Sequence, residues 1–443
     1  MTLVQRLENV GVIGAAGKMG SGIVLLLAQE MAKLKIKNPD RGYYLYAMDV
    51  SEKALDGLML YLRAQATKAA EKGCVALRDL YRDRNDLVEN YDIIAQFTND
   101  VLSVIRPTTD LGSLRQAHMI FEAIVENEQI KIDVLKTLNK QCSSGTYYFS
   151  NTSSIPIHVL DDGVGLEGRI IGYHFYNPPA VQKLAELITS SNTRQDVIDV
   201  SHEIAKLLKK IIIPSNDIAG FIGNGHFMRD IIHATEEVNR LSDSFSQIEG
   251  IYALNKVSQD FLIRPMGIFQ LIDYVGVEVC QLIMQVMTRY TDGLTLESTL
   301  LNRMVDAGVI GGQYADGSQK DGFLKYEKNR PAGVYDLEKG NYVPFGDWSK
   351  QVDEKLGALP DGWAPWRSLL VDSKRHEKLK VIFSNLNQMK TFGADLARAY
   401  FQKSKAIGEG LISDGVAANA EDVNGVLING FFHLYGPIND YIA

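Results

Sequence analysis

Short apolar runs alternate with longer amphipathic segments through the first half of the chain. The apolar runs predict strands at residues 9–14, 43–48, 91–97, 119–125, 146–149, 169–173, 184–188 and 211–213. The intervening segments have the apolar spacing of helices. The segment over about 51–88 is too long for a simple crossover, so we predict a helical hairpin projecting from the sheet. This alternation is typical of an α/β domain with a doubly wound parallel sheet, here residues 1–213.

The second half of the chain has helical patterning without the alternation. Pro214 to Asp217 interrupts the pattern, and helices are predicted at residues 227–240, 246–259, 268–288 and 296–307. Residues 311–344 are rich in Gly, Asp, Lys and Tyr, which predicts a loop or a short irregular lid. We therefore predict an all-α helical domain over 214–344 and a helical C-terminal extension over 345–443.

The extension contains a weak repeat of the helical domain. The matching segments are 241–243 with 412–414, 246–249 with 420–423, 265–267 with 435–437, and 272–274 with 439–441. We interpret residues 345–443 as a partial second copy, with chance similarity between amphipathic helices as the alternative. A second copy should pack on an apolar face of the helical domain that would otherwise associate. The extension shows no separate active site.

Composition and charge narrow the class of protein. The chain has 443 residues, with 46% hydrophobic and 23% charged, as in ordinary globular proteins. The formal net charge is −8 without a long basic run, so nucleic acid and anionic membranes are not expected partners. Three scattered cysteines predict reduced thiols and a cytoplasmic protein. No apolar stretch approaches the ~20 residues that span a bilayer.

A glycine-rich turn follows the first predicted strand. Gly14, Gly17 and Gly20 lie between this strand and an apolar helix, where backbone N–H groups and the helix dipole favour a pyrophosphate. The spacing is G-x-x-G-x-x-G rather than G-x-G-x-x-G, so which glycine makes the closest approach stays open. Asp49 ends the second strand, where an acid binds ribose hydroxyls and favours NAD over NADP. Residues 33–42 are interpreted as an inserted polar loop that delays Asp49.

A structural turn, with Asp49 as a helix N-cap, is the alternative for this segment. Glycine patterns alone are weak evidence, but here both flanking elements and the acid are present. The sequence therefore favours a dinucleotide site.

A histidine and a carboxylate in the middle of the chain indicate proton transfer. His174 follows a predicted strand, and Glu186 lies in the next one. An imidazole accepts protons near neutral pH, and a carboxylate on its second nitrogen fixes the tautomer. Ser153 and Asn224 can bond an oxygen that becomes a carbonyl. Such a site can remove the proton from an alcohol.

Alternatives accompany each of these residues. A lone histidine at a strand end is commonly structural, and the pairing with Glu186 argues against that for His174. One of Ser153 and Ser154 is expected to cap a helix beginning near Ile155, with Ser153 facing the site. The other histidines have no carboxylate partner in a recognisable motif and are predicted to be structural or solvated: His118, His158, His202, His226, His233, His376 and His433.

At these residues the chain resembles the 3-hydroxyacyl-CoA dehydrogenase family. The segments that carry the resemblance, in the family's order, are 121–127, 150–154, 174–178, 184–186, 220–224 and 264–274, and residues 319–326 resemble the end of the family's second domain. The resemblance implies a Rossmann-type NAD domain, an all-helical second domain, and oxidation of an acyl-CoA 3-hydroxyl to a ketone, as in fatty acid β-oxidation. Simple members pair their helical domains in a homodimer; the extension could instead cover that face in a monomer.

The resemblance also assigns roles to positions. His174 falls on the general base and Glu186 on its partner carboxylate, while Ser153 and Asn224 fall on residues that contact substrate and cofactor. Glu126 and Lys131 fall near the nicotinamide half of NAD. The remaining expected contacts are Gly14, Gly17, Lys18, Met19, Gly20 and Asp49 for NAD, and Asn177 and Lys72 for substrate, Lys72 near the CoA phosphates. No metal is expected.

Two other functions stay open at this point. One is a dehydrogenase of the same superfamily that acts on a free hydroxy acid, such as a sugar acid or carnitine. The other is a protein that keeps the fold and binds nucleotide without turnover. Lys72, on a cationic hairpin, favours CoA, and the intact set of Ser153, His174, Glu186 and Asn224 favours catalysis.

Overall fold

The computed structural model describes residues 1–291, 293–314 and 317–442. The chain forms two compact units, residues 1–217 and the residues from Ile218 onward. The predicted extension lies in the second unit together with residues 218–344. Each unit has its own hydrophobic core.

The first unit is built on an eight-stranded sheet with strand order β3-β2-β1-β4-β5-β6-β7-β8. The strands are β1 (Asn9–Ile13), β2 (Tyr44–Met48), β3 (Ile105–Thr108), β4 (Met119–Glu122), β5 (Tyr147–Ser150), β6 (Ile170–Phe175), β7 (Leu184–Thr189) and β8 (Ile211–Asn216). The pairs from β3 through β6 are parallel, β7 is antiparallel to β6, and β8 is parallel to β7. The order reverses beside β1, as in doubly wound sheets, so the chain has a Rossmann-type domain.

Helices cover both faces of this sheet, and two of them form a helical hairpin. They are α1 (Leu3–Arg6), α2 (Lys18–Lys37), α3 (Glu52–Leu80), α4 (Asn90–Ser103), α5 (Glu128–Gln141), α6 (Ile157–Val164) and α7 (Gln195–Leu207). Helices α3 and α4 pack against each other over residues 52–103. The strand predicted at 91–97 is wrong, because these residues belong to α4. Ile93, Phe97 and Val101 are buried at helical spacing, so the apolar run marks one helix face.

The second unit is mainly helical. Its helices are α8 (Phe221–Arg240), α9 (Gln247–Lys256), α10 (Ile268–Val275), α11 (Val277–Tyr290), α12 (Thr299–Asp306), α13 (Asp347–Leu356), α14 (Trp366–Leu370), α15 (Arg375–Gln388), α16 (Phe392–Ser413) and α17 (Ala420–Gly430). The single helix predicted at 268–288 is two helices, because Gly276 between them has a φ of 116°, a conformation that ends α10.

The segment predicted as a loop at 311–344 contains a small antiparallel sheet. Its strands are β9 (Leu324–Glu327), β10 (Arg330–Asp336) and β11 (Asn341–Pro344); residues 315 and 316 of the prediction lie outside the described residues. The buried carboxylate of Asp273 holds the start of β9 by accepting the backbone N–H groups of Phe323 and Leu324. The prediction was wrong because polar, glycine-containing hairpins lack a strong apolar alternation.

The extension packs on the helical domain around α8. Helices α16 and α17 both contact α8, and side chains from residues 345–442 share one core with those from 218–344. Ser404 of α16 lies 3.2 Å from His226 of α8 through its carbonyl oxygen. Leu411 packs where α8 has Gly225, and the hydroxyl of Tyr435 donates to the carbonyl of Leu262 at 2.6 Å. The order α16 then α17 matches α8 then α9 in type and length, which supports a partial second copy as a proposal.

Within the described residues no single helix is long and apolar enough to cross a membrane; α10 and α11 reach that composition only together, across an 87° bend. The three cysteines, Cys74, Cys142 and Cys280, are free thiols and form no disulfide bond.

Candidate active site

The glycine turn between β1 and α2 packs closely against other backbone segments. Gly14 has a φ of 74°, and a side chain there would lie 2.5 Å from the carbonyl oxygen of Ala123. A side chain at Gly20 would overlap the carbonyl of Gly14. Of the three glycines, Gly20 therefore lies closest to other backbone atoms of the protein. Gly17 is the N-cap residue, which leaves the first N–H groups of α2 for an anion.

Asp49 lies directly beside this turn. Its Oδ2 accepts the backbone N–H of Ala16 at 3.0 Å, and it follows β2 at the carboxyl edge of the sheet. The inserted polar loop predicted at 33–42 is largely wrong, because α2 continues to Lys37 and only the residues after it connect to β2. The longer helix, rather than a loop, delays the acid. The acid and the turn are thus parts of one edge of the sheet.

His174 and Glu186 face each other across the antiparallel pair β6 and β7. They are direct partners in the strand register, and His174 Nδ1 lies 3.2 Å from Glu186 Oε2. The exposed fraction is 8% for His174 and zero for Glu186. Because a carboxylate only accepts, the hydrogen lies on Nδ1 and Nε2 keeps its lone pair. This arrangement prepares Nε2 to accept a proton.

Tyr176 also contacts this carboxylate, and sequence reasoning missed it. Its hydroxyl donates to Glu186 Oε2 at 2.9 Å, and its ring centroid lies 4.7 Å from that of the imidazole. The signal was available: residues two apart along an extended chain lie on the same face, so Tyr176 follows His174. Burial, together with Glu186, raises the pKa of Tyr176 well above its usual value.

Ser153 belongs to a turn organised by the carboxylate of Glu126. One oxygen, Oε1, accepts the backbone N–H groups of Ser153 (3.0 Å) and Ser154 (3.1 Å) and the hydroxyls of Thr152 (2.6 Å) and Ser154 (2.9 Å). Thr152 and Ser154 are buried, whereas Ser153 is partly exposed. Asn151 Oδ1 accepts the backbone N–H of Phe175 at 2.8 Å, which joins this turn to the strand that carries His174.

Lys131 contacts the Glu126 carboxylate that organises this turn. Its ammonium lies 2.6 Å from Glu122 Oε1 and 3.3 Å from Glu126 Oε2, and only 1% of the side chain is exposed. Burial would lower the pKa of Lys131, but the two carboxylates outweigh it and raise the pKa. Burial would likewise raise the pKa of Glu126, yet Lys131 and the hydroxyls of the turn hold it below its usual range. The ammonium of Lys131 is thus enclosed by two carboxylates, one of which organises the turn.

The serine cap predicted for the next helix is wrong. Helix α6 begins at Ile157 rather than near Ile155, and its first N–H groups, those of Ile157 and His158, donate to the carboxylate of Asp217. His158 Nδ1 also lies 2.8 Å from Asp217, so this histidine does have a carboxylate partner. A cap supplied from a distant residue leaves no local sequence signal. Neither Ser153 nor Ser154 therefore caps α6.

The remaining predicted site residues lie on α8, on α3, after β6 and at the start of α2. Asn224 lies in the first turn of α8, in the second unit, and its role remains a prediction. Lys72 is exposed on α3, and Asn177 lies two residues after the end of β6. Lys18 and Met19 occupy the first two positions of α2, after Gly17.

The carboxyl edge of the sheet suits a dinucleotide. The positive φ of Gly14, the close backbone packing at Gly14 and Gly20, and the N-terminus of α2 fit a turn that binds a pyrophosphate. Asp49, beside them, fits ribose hydroxyls. Among the described residues no group of three or more His, Cys, Asp or Glu side chains could hold a metal ion.

Two family profiles match the chain in succession. The profile described as "3-hydroxyacyl-CoA dehydrogenase, NAD binding domain" matches residues 9–218, and the one described as "3-hydroxyacyl-CoA dehydrogenase, C-terminal domain" matches residues 220–326. The probable 3-hydroxybutyryl-CoA dehydrogenase of Deinococcus radiodurans is 31% identical over 311 residues, covering 70% of this chain and 99% of the relative. The mitochondrial hydroxyacyl-coenzyme A dehydrogenase of Homo sapiens is 28% identical, covering 72% of this chain and 91% of the relative.

Solved structures show the same architecture. The crystal structure of M. tuberculosis FadB2 has a TM-score of 0.55 and 26% identity, covering 72% of this chain and 99% of that chain. The structure of 3-hydroxybutyryl-CoA dehydrogenase from Escherichia coli K12 has a TM-score of 0.65 and 19% identity, covering 98% of this chain and 90% of that chain. The second likeness is one of fold alone, and it extends through the C-terminal extension.

Proposed function

Because the chain belongs to the 3-hydroxyacyl-CoA dehydrogenase family, we propose that His174 is the base of its reaction. The chain is an NAD-dependent dehydrogenase of this family. The proposed reaction oxidises a (3S)-3-hydroxyacyl-CoA to the 3-oxoacyl-CoA. The observation that carries the role of His174 is its contact with buried Glu186 in strand register.

The proton of the substrate 3-hydroxyl passes to Nε2 of His174. Glu186 holds Nδ1–H and stabilises the imidazolium that forms, which lowers the cost of moving the proton. NAD, when bound, supplies the acceptor of the hydride from the same carbon. The base must be neutral before the reaction, so oxidation slows as the pH falls and the imidazole becomes protonated.

Ser153 orients the substrate oxygen in this proposal. The Glu126 carboxylate fixes the backbone of the turn and consumes the hydroxyls of Thr152 and Ser154. Ser153 is partly exposed, and we infer that its hydroxyl contacts the substrate. Asn224 and Asn177 are proposed as further polar contacts of the substrate. Hydrogen bonds that strengthen as the oxygen becomes a carbonyl would favour product formation.

Asp49 is proposed to select NAD over NADP. Asp49→Ser removes the negative charge beside the turn, so repulsion of a 2′-phosphate falls and the preference for NAD should narrow by about tenfold or more. Steady-state kinetics with NAD and NADP measure the ratio of kcat/KM values. The control is Asp40→Ser, which removes an exposed acid before β2 and should leave the ratio unchanged. A wild-type protein that uses NADP as well as NAD would contradict the role.

Lys72 is proposed to contact the CoA phosphates. Lys72→Ala should raise KM for the acyl-CoA several-fold while kcat stays close to wild type, because an exposed cation contributes binding and no chemistry. The increase should shrink at high salt. Lys53→Ala, an equal charge change at an exposed position of the same helix, is the matched control. Equal effects of the two substitutions would show that only net charge matters.

One assay tests the substrate class directly. NAD reduction is followed with a panel of 3-hydroxyacyl-CoAs of increasing length and with the matching free 3-hydroxy acids. We expect turnover of the CoA thioesters and little with the free acids. Preference for a free acid would instead favour the other class of hydroxy acid dehydrogenase, and no reduction with any member would favour a nucleotide-binding role. The cytoplasm stays the proposed location.

A further inference from the structure

One carboxylate oxygen of the catalytic pair receives two hydrogen bonds. His174 Nδ1 lies 3.2 Å and the hydroxyl of Tyr176 2.9 Å from the same atom, Glu186 Oε2. Glu186 is fully buried, so hydrogen bonds rather than bulk water stabilise its charge. Two donors on one oxygen share that charge, and a stronger bond to one weakens the bond to the other.

We propose that Tyr176 is a positioning residue that limits the basicity of His174. Its hydroxyl takes part of the charge of Glu186, so the carboxylate stabilises the imidazolium less than it otherwise would. The inference rests on the proposed function, in which Nε2 of His174 accepts the substrate proton. The consequence is a base that releases its proton readily after each oxidation.

The geometry keeps the Tyr176 ring beside the imidazole and its hydroxyl on Glu186. Tyr176 follows His174 by two positions, so both side chains leave the chain on one face, and their rings lie 4.7 Å apart at 41°. Burial, together with Glu186, raises the pKa of Tyr176 well above its usual value, so the hydroxyl stays a donor across the working pH range.

Other titratable groups around β6 largely form hydrogen bonds or ion pairs with partners of their own. Gly172, on the same face as His174, packs on Ile157 of α6, and α6 carries His158 with its partner Asp217. The charged and titratable groups of the neighbouring elements are Glu186 on β7, Lys131 with Glu122 and Glu126 beyond β4, the pair of His158 and Asp217, and Lys210 before β8, which donates to the carbonyls of Pro179 and Gln182. The Tyr176 hydroxyl, by contrast, is in direct contact with the carboxylate of the pair.

Tyr176→Phe removes the hydroxyl and keeps the ring against the imidazole. Glu186 then loses this donor and interacts more strongly with His174, which becomes a stronger base. In the oxidation of 3-hydroxybutyryl-CoA by NAD, the acid limb of the kcat profile should move up by about one pH unit. In the reverse reduction, which needs the protonated imidazole, the alkaline limb should move up by a similar amount. KM for both substrates should change by less than about twofold.

A structural role would not produce this pattern. Loss of packing lowers kcat at every pH and leaves the limbs in place, and that result would overturn the inference, as would a downward shift. Tyr173→Phe is the matched control: its hydroxyl has no hydrogen-bond partner within the described residues, so its limbs should stay at the wild-type pH. Tyr176→Met also lacks the hydroxyl and gives the same expected shift if the phenylalanine variant does not fold.

The outcome for His174→Gln separates this inference from the proposed function. If that variant keeps near-normal turnover, the proposed base is wrong. If it loses turnover while the limbs of Tyr176→Phe stay in place, His174 remains the base and only the role of the tyrosine falls.

Discussion

His174→Gln should reduce kcat by about two orders of magnitude or more, the usual scale for loss of a general base. Glutamine has an amide where the imidazole has a basic nitrogen, so the substrate proton has no acceptor at that position. NAD affinity should stay nearly intact, because the glycine turn and Asp49 lie on other strands of the sheet. Steady-state kinetics with a 3-hydroxyacyl-CoA and calorimetric titration with NAD measure the two quantities.

The matched control for this substitution is His202→Gln, on the exposed face of α7. It changes the same residue type in the same unit and should leave kcat unchanged. Near-normal turnover in His174→Gln, or an equal loss in both variants, would contradict the catalytic assignment.

We propose that the full-length chain is monomeric, and removal of the extension after Pro344 should then cause dimerisation or aggregation. The cut removes Phe383, Tyr400 and Phe401, which are buried in the core shared with residues 218–344. Burial of one large apolar side chain contributes about 1.5–3 kcal/mol, so the exposed partners on α8 and its neighbours should associate. Light scattering on the full and truncated chains measures the change.

The cofactor site provides the internal control for this cut. Its proposed ligands lie in residues 1–217, so NAD binding by the truncated chain should be largely retained. Leu411→Asp, which places a charge against Gly225 of α8, should give the same association in the full-length chain. A truncated chain that stays a stable monomer would show that the extension has another role.

Most of the sheet, and His174 with Glu186 as a candidate pair, were predictable because their signals are local. Apolar runs bounded by glycine predicted most strands of the first unit, and the strand ends located the glycine turn and Asp49. His174 and Glu186 were predicted as a pair, but the sheet was predicted to be parallel, whereas β7 is antiparallel to β6 and this pairing places the two residues opposite each other. Periodicity over a single turn is ambiguous, and residues 91–97 were therefore predicted as a strand although they form part of α4.

Contacts between distant segments could not be predicted from the sequence. Lys131 was expected near NAD, but its enclosure with Glu122 and Glu126 depends on how α5 packs beside β4. Asp217 caps a helix that begins sixty residues earlier in the chain, which no local pattern predicts. Tyr176 was missed for a different reason: its position two residues after His174 was readable, but its contact with Glu186 Oε2 depends on how β7 pairs with β6.

The strand register that joins His174 to Glu186 constrains which changes of length this protein can tolerate. Side chains alternate between the two faces of β7, so inserting one residue before Glu186 within the strand would turn its carboxylate to the opposite face. Insertions in the connection between β6 and β7, beyond Tyr176, would leave the pairing in place. Variation in length among natural or engineered versions should therefore accumulate in residues 177–183, while the strands on either side keep their number of residues.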